Sequence, residues 1–177
     1  MKYQDKIYYY KHGYIWTSST PFTLEIDNNM NVHLTNNCFQ KHLNNYGTHE
    51  PGNTIGFDAL QEYLDSIESG VNVEEHFVPR MKDLIIDSLN CTDLNPSMRE
   101  TSFELFGYDF LIDEDYWIWL IEINTNPYLG VPNAFILDLL PKMVSEMLQI
   151  VIDPHFPPEK PQPQYSNYEV IFKTGYS

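Results

Sequence analysis

Apolar and polar positions alternate most strictly between Phe103 and Pro127, over the run FELFGYDFLIDEDYWIWLIEINTNP. Phe106, Tyr108, Phe110 and Ile112 recur at every second position on the first arm, and Trp117, Trp119, Ile121 and Ile123 do so on the second. A period of two belongs to a strand with one covered face, and Asp113, Glu114 and Asp115 between the arms are turn formers, so the pattern predicts a β-hairpin. With the loop centred on Glu114 to Trp117, Asp109 falls directly opposite Glu122, and Asn124, two residues on, shares their face.

Other stretches carry other periods. Lys6 to Tyr10 and Tyr14 to Ser18 flank His12-Gly13 and predict a first hairpin, with Pro21 limiting the next segment to an edge or a turn. Asn28 and Asn29 mark a turn before a short strand around Val32 to Leu34, and Asn44 to Gly56, with Gly47, Pro51 and Gly52, reads as a loop. After Asp58 the spacing of Leu60, Tyr63, Leu64 and Ile67 is helical, and Phe77, Met81, Leu84, Ile85 and Ser88 give a second stripe with Pro79 in its first turn. Both stripes are expected in the core. A last helical region covers Phe135 to Leu140 and Met143 to Ile152, broken or restarted at Pro141. The fold class expected from this order is α+β, a mainly antiparallel sheet built from two hairpins with helices packed on its apolar face.

Composition shifts at Asp153. Pro154, Pro157, Pro158, Pro161 and Pro163 favour extended chain with little burial, so 1–153 is expected as the domain and 154–177 as a flexible tail. The alternative for its last stretch, Tyr168 to Phe172, is an edge strand or docking peptide. For the rest, 42% hydrophobic and 15% aromatic residues in 177 are ample for a core. The chain lacks the run of roughly 18 apolar residues that a membrane span needs. Cys38 and Cys91 stand outside any CxxC or disulfide-scaffold spacing, which favours a reducing compartment and buried or idle thiols. Cys38 and His42 are one helical turn apart, but two ligands fall short of a zinc site.

The chemistry lies in the hairpin. Two carboxylates facing each other across a ladder repel and cost stability unless a cation sits between them. Carboxylate and amide oxygens suit Mg²⁺, which keeps waters or phosphate oxygens as its remaining ligands, whereas zinc asks for Cys and His. Spacing alone leaves two readings open: a Mg²⁺ site at Asp109, Glu122 and Asn124, or a solvated face that happens to be acidic.

The segments FELFGYDFLID and WLIEINTNP resemble the metal-binding end of the tubulin-tyrosine ligase-like family, and the block at His33, Leu34, Thr35, Asn36, Gln40 and Lys41 resembles a second motif of the same family in the right order. The likeness runs from about Ile7 to Phe156. It implies an ATP-grasp-like subdomain in which Asp109, Glu122 and Asn124 hold Mg²⁺ against ATP, and Thr35 and Asn36 line the nucleotide site. It also implies ATP-dependent joining of a free amino acid to a carboxylate of tubulin or microtubules through an acyl phosphate. The expected place is the cytoplasm, at the cytoskeleton or a cilium, with no nucleic-acid or membrane partner. His33 is read as a structural residue ending a strand rather than as a general base.

Three features depart from that pattern. The chain has neither the family's adenine-binding segment nor its K-F-D-x-R block, and Trp16 stands where an arginine usually follows the hairpin glycine. The resemblance is therefore to the later part of the catalytic domain only. A net charge of -15 also runs against a protein that grips acidic tubulin tails. Two readings remain: a ligase represented here by its metal-binding part, or a truncated or degenerate, non-catalytic relative that binds nucleotide weakly or acts as an interaction module.

Overall fold

The computed structural model describes residues 6–24, 30–91, 102–160 and 167–173. Among them it has six strands, β1 Lys6–Tyr10, β2 Tyr14–Trp16, β3 Thr54–Gly56, β4 Gly107–Ile112, β5 Ile118–Asn124 and β6 Tyr168–Lys173. Five α-helices accompany them: α1 Met30–His33, α2 Asn37–Gln40, α3 Phe57–Ser66, α4 Val78–Asn90 and α5 Ala134–Val151. The mixture of helix and strand agrees with the sequence pattern. The single sheet does not: the strands form three separate antiparallel pairs, β1 with β6, β2 with β3, and β4 with β5.

Of the two predicted hairpins only the second exists. β1 pairs with β6 and β2 with β3, so Lys6–Tyr10 and Tyr14–Trp16 belong to different sheets. Gly13 is not one of the positive-φ glycines that a tight hairpin turn uses. A Cβ there would lie 2.5 Å from Cζ of Phe57, so the glycine admits an aromatic ring where the pattern suggested a turn. The part of the expected loop at Thr54–Gly56 is the strand that β2 takes instead, and Gly47 and Gly52 do turn the chain with φ of 71° and 67°.

Residues 167–173 are anchored. Asn167 N and Nδ2 donate to Glu146 at 3.2 and 2.6 Å, Lys82 pairs with Glu169 at 2.7 Å, and β6 lies antiparallel to β1. The edge-strand alternative for Tyr168 to Phe172 is thus the one the structure holds. Val32 to Leu34 is not extended, since α1 covers Met30–His33, and the Asn28-Asn29 turn lies outside the described residues. His33 ends that short helix exposed, edge-on to Phe22 at 5.8 Å.

Leu64, Val73, Phe77, Val78, Met81 and Ile118 form the core, with Leu60, Leu84, Phe110 and Ile112 packed around it. The second helical stripe behaves as expected: Phe77 closes a π-turn at Val73–Phe77, Pro79 sits in the first turn of α4, and Met81 and Ile85 are buried. Of the first stripe only Leu60 and Leu64 reach the core, while Tyr63 and Ile67 face water at 58% and 47% exposure. α3 packs along a narrower strip than its apolar spacing suggested. α5 runs through Pro141 unbroken. A proline inside a helix loses one backbone bond and crowds the carbonyl four residues before it, and here each half of the helix is held by a buried residue, Ile136 before the proline and Glu146 after it. Cys38 and Cys91 are free and exposed, so neither is a buried thiol. Among the described residues no helix is long and apolar enough to cross a membrane.

Candidate functional site

The β4–β5 hairpin turns on Asp113. Its Oδ1 accepts the backbone N–H of Asp115 at 3.0 Å and of Trp117 at 2.8 Å, and its Oδ2 accepts indole Nε1 of Trp119 at 2.7 Å. These three bonds hold the carboxyl below the usual aspartate range, the indole bond most. From the turn the strands pair Ile112 with Ile118, Leu111 with Trp119 and Phe110 with Leu120, then skip Ile121 and resume with Asp109 opposite Glu122.

That skipped residue is a β-bulge on β5, and it decides which side chains share a face. On β4 the alternation is uninterrupted: Tyr108, Phe110 and Ile112 turn to the helices, with the Tyr108 hydroxyl 2.9 Å from Ser88 Oγ of α4, while Asp109 and Leu111 turn outward. On β5 the bulge sends both Ile121 and Glu122 outward, beside Trp119, with Ile121 at 61% and Trp119 at 57% exposure. The uniform apolar face expected from Trp117 to Ile123 is therefore absent. Asp109 meets Glu122, and Nδ2 of Asn124 donates to Oδ2 of Asp109 at 3.3 Å. The register brings the three predicted residues together on one open face.

Gly107 opens room for them. It lies opposite Asn124, and a Cβ on it would be 3.1 Å from Cβ of Pro127 and 3.6 Å from Cβ of Asn124. The Asp109 carboxyl is pushed above its ordinary range, first by loss of water from the walls around it, then by the charge of Glu122, with the Asn124 bond pulling the other way. Asp109 in turn helps raise the Tyr14 phenol, after burial, so β2 with its Tyr14–Trp16 ring pair at 5.3 Å flanks the acidic face.

Two carboxylates and one amide are a hard-oxygen set, which fits Mg²⁺, Mn²⁺ or Ca²⁺ better than zinc. A cation between them would oppose both the loss of water and the Glu122 charge that raise Asp109. No group of three or more His, Cys, Asp and Glu side chains is gathered for a metal among the described residues, so any ion here leans on the Asn124 amide and on ligands from outside the chain.

Thr35 and Asn36 occupy a separate element, the exposed turn between α1 and α2. Asn36 caps α2, its Oδ1 accepting Cys38 N–H at 2.8 Å. Sequence reasoning missed three structural amides, of which only Gln40 reaches the backbone leading into that turn. Gln40 is fully buried and bonds to Ser19, Asn31 and Leu34. Asn53, at 2% exposure, donates to Thr17 O and Ser19 Oγ and accepts from Gly47 N. Asn133 caps α5 through Ile136 N and donates to Thr54 Oγ1 at 2.9 Å. Amides of this kind look like solvated polar residues until the fold buries them. A signal was available only for Gln40, which belongs to the second motif block.

Compared with known proteins, the chain matches the sequence profile of the tubulin-tyrosine ligase family over residues 3–163. It is 35% identical to a tubulin monoglycylase of Homo sapiens over 152 residues, 83% of this chain and 19% of that relative. With tubulin glycylase 3A of Drosophila melanogaster the identity is 29% over 171 residues, 94% of this chain and 17% of the relative. A protein monoglycylase of Mus musculus is 28% identical over 151 residues, 83% of this chain and 18% of the relative. The chain thus spans less than a fifth of the length of these relatives.

Proposed function

The chain belongs to the tubulin-tyrosine ligase family, and from that premise we propose that it supplies the metal-binding part of an ATP-dependent ligase that joins an amino acid to a protein carboxylate. The carrying observation is the face shared by Asp109, Glu122 and Asn124. In this reading the acceptor carboxylate attacks the γ-phosphorus of ATP, ADP leaves, and the amine of the amino acid displaces phosphate from the acyl phosphate to form the amide. A carboxylate is a poor electrophile until its oxygen can leave, which is why the step needs ATP. When bound, Mg²⁺ neutralises phosphate charge. Asp109, Glu122 and Asn124 would hold it, and Thr35 and Asn36 would orient the nucleotide, in an ATP-grasp-like arrangement.

Relatives named for glycylation favour glycine as the amino acid and tubulin as the acceptor, at the cytoplasmic cytoskeleton. The mouse relative, named a protein monoglycylase, leaves room for other acceptors, which suits a net charge of -15 that opposes acidic tails. A second reading, a non-catalytic module that binds metal and nucleotide, is favoured by Trp16 in place of an arginine. Titrating the chain with a non-hydrolysable ATP analogue, with and without Mg²⁺, tests the shared core of both. Saturable binding that needs Mg²⁺ and is lost in Asp109→Asn/Glu122→Gln supports it, and binding indifferent to both overturns it.

A further inference from the structure

Gln40 is 0% exposed although it ends a four-residue helix on the surface. A buried amide that leaves its donors or acceptor unpaired destabilises the fold, because those groups have given up water for nothing. Gln40 leaves none unpaired. Its Nε2 donates to the carbonyls of Asn31 at 3.0 Å and Leu34 at 2.5 Å, and its Oε1 accepts the N–H of Ser19 at 2.9 Å. Two of these bonds fall on the backbone that leads into Thr35, and the third falls on the chain running out of β2. Ser18 Oγ donates to the same Asn31 carbonyl at 3.0 Å, and Asn45 Nδ2 donates to Ser19 O.

We propose that Gln40 is a positioning residue: its side-chain amide staples the turn carrying Thr35 and Asn36 to the chain that leaves β2, so that both residues stand ready for nucleotide without being reordered on binding. Ordering a loop at the moment of binding costs affinity, and a turn held in advance avoids that cost. The part of the proposal that concerns nucleotide rests on the ligase reading; the part that concerns the turn does not. Asn53 supplies the contrast. It is as buried as Gln40 and reaches the same Ser19, but its bonds go to Thr17, Ser19 and Gly47 and not to residues 31–36.

The test uses the whole 177-residue chain and three variants, Gln40→Met, Gln40→Glu and Asn53→Gly. Gln40→Glu keeps the acceptor for Ser19 and sets an oxygen against the two carbonyls, and it carries the test alone if Gln40→Met does not stay folded. In ¹⁵N relaxation, the order parameters of Thr35 and Asn36 are expected to fall from about 0.85 to below about 0.6 in both Gln40 variants and to hold in Asn53→Gly. Affinity for the Mg²⁺-bound ATP analogue is expected to drop about tenfold in the Gln40 variants and to stay within about twofold in Asn53→Gly. In the unaltered chain the Gln40 side-chain NH₂ protons should exchange slowly. Fast exchange there, an ordered turn in Gln40→Glu, or equal loosening in Asn53→Gly overturns the proposal. A turn that loosens as expected in a chain that never binds nucleotide sinks the ligase reading and leaves the staple standing.

Discussion

Asp109 and Glu122 face each other across the β4–β5 ladder at the first pairing beyond the bulge, where Ile121 is skipped. Without the bulge Glu122 would point with Leu120 toward the helices; with it, the carboxylate joins Asp109 in the open. The repulsion between them is a cost the fold carries in the absence of a cation, and it sets up the first two predictions.

Glu122→Asn should stabilise the metal-free chain slightly, by roughly 0.2–1 kcal/mol, because it removes a like-charge cross-strand pair. The same substitution should abolish the response to metal. In the unaltered chain, Mg²⁺ or Mn²⁺ at ten times its Kd adds about 1.4 kcal/mol, or about 3–6 °C in melting temperature. Melting curves of both proteins with and without millimolar metal check this. An equal metal response in the two would remove Glu122 from the site.

Asp109 should titrate above the ordinary aspartate range, and Glu122→Gln should move it back toward that range. Because its pKa is raised in the folded state, the native chain holds that proton more tightly than the unfolded chain does. The stability it contributes is fully present below the unfolded value and lost as pH rises through the folded one. Carboxyl ¹³C shifts followed against pH give the value directly. Adding Mg²⁺ should pull it down, and a titration at the ordinary value in both proteins would count against the repulsive pair.

Gly107→Ala places a methyl about 3.1 Å from Pro127 Cβ and 3.6 Å from Asn124 Cβ. Pro127 is stiff, so the strand end must shift, at a cost of about 1–3 kcal/mol in stability. The sharper expectation is loss of the metal-induced rise in melting temperature, since Asn124 moves with that strand end. A variant that is less stable but keeps the full metal response would show that the glycine serves packing alone.

The 177-residue chain by itself should not ligate amino acids to tubulin, since it contains neither the K-F-D-x-R block nor the adenine-binding segment of the resembled family. Purified chain, tubulin, ATP, Mg²⁺ and labelled glycine, glutamate or tyrosine are the ingredients of the assay. Incorporation above a control without the chain would show those segments to be dispensable.

What the amino-acid sequence determined by itself is local. The period-two arms and the acidic turn specify the β4–β5 hairpin, but the turn register, with Ile112 opposite Ile118, would by itself set Asp109 against Ile121; it is the bulge that moves Asp109 opposite Glu122. The helical spacing that buries Phe77, Met81 and Ile85 is equally local, and so is Pro79 in a first turn. Tertiary structure decided the rest. β1 finds its partner in β6, at the far end of the chain, and β2 finds β3; nothing near Gly13 specifies either, and only the Phe57 ring explains why a glycine is there. The bulge at Ile121 swaps which residues share a face, an effect that alternation on one strand cannot reveal because it depends on the partner strand. Burial of Gln40 and Asn53 is decided in the same way. A polar amide is indistinguishable from a surface residue in sequence, and it becomes structural only when distant backbone atoms, here Ser19 for Gln40 and Thr17 for Asn53, arrive to satisfy it.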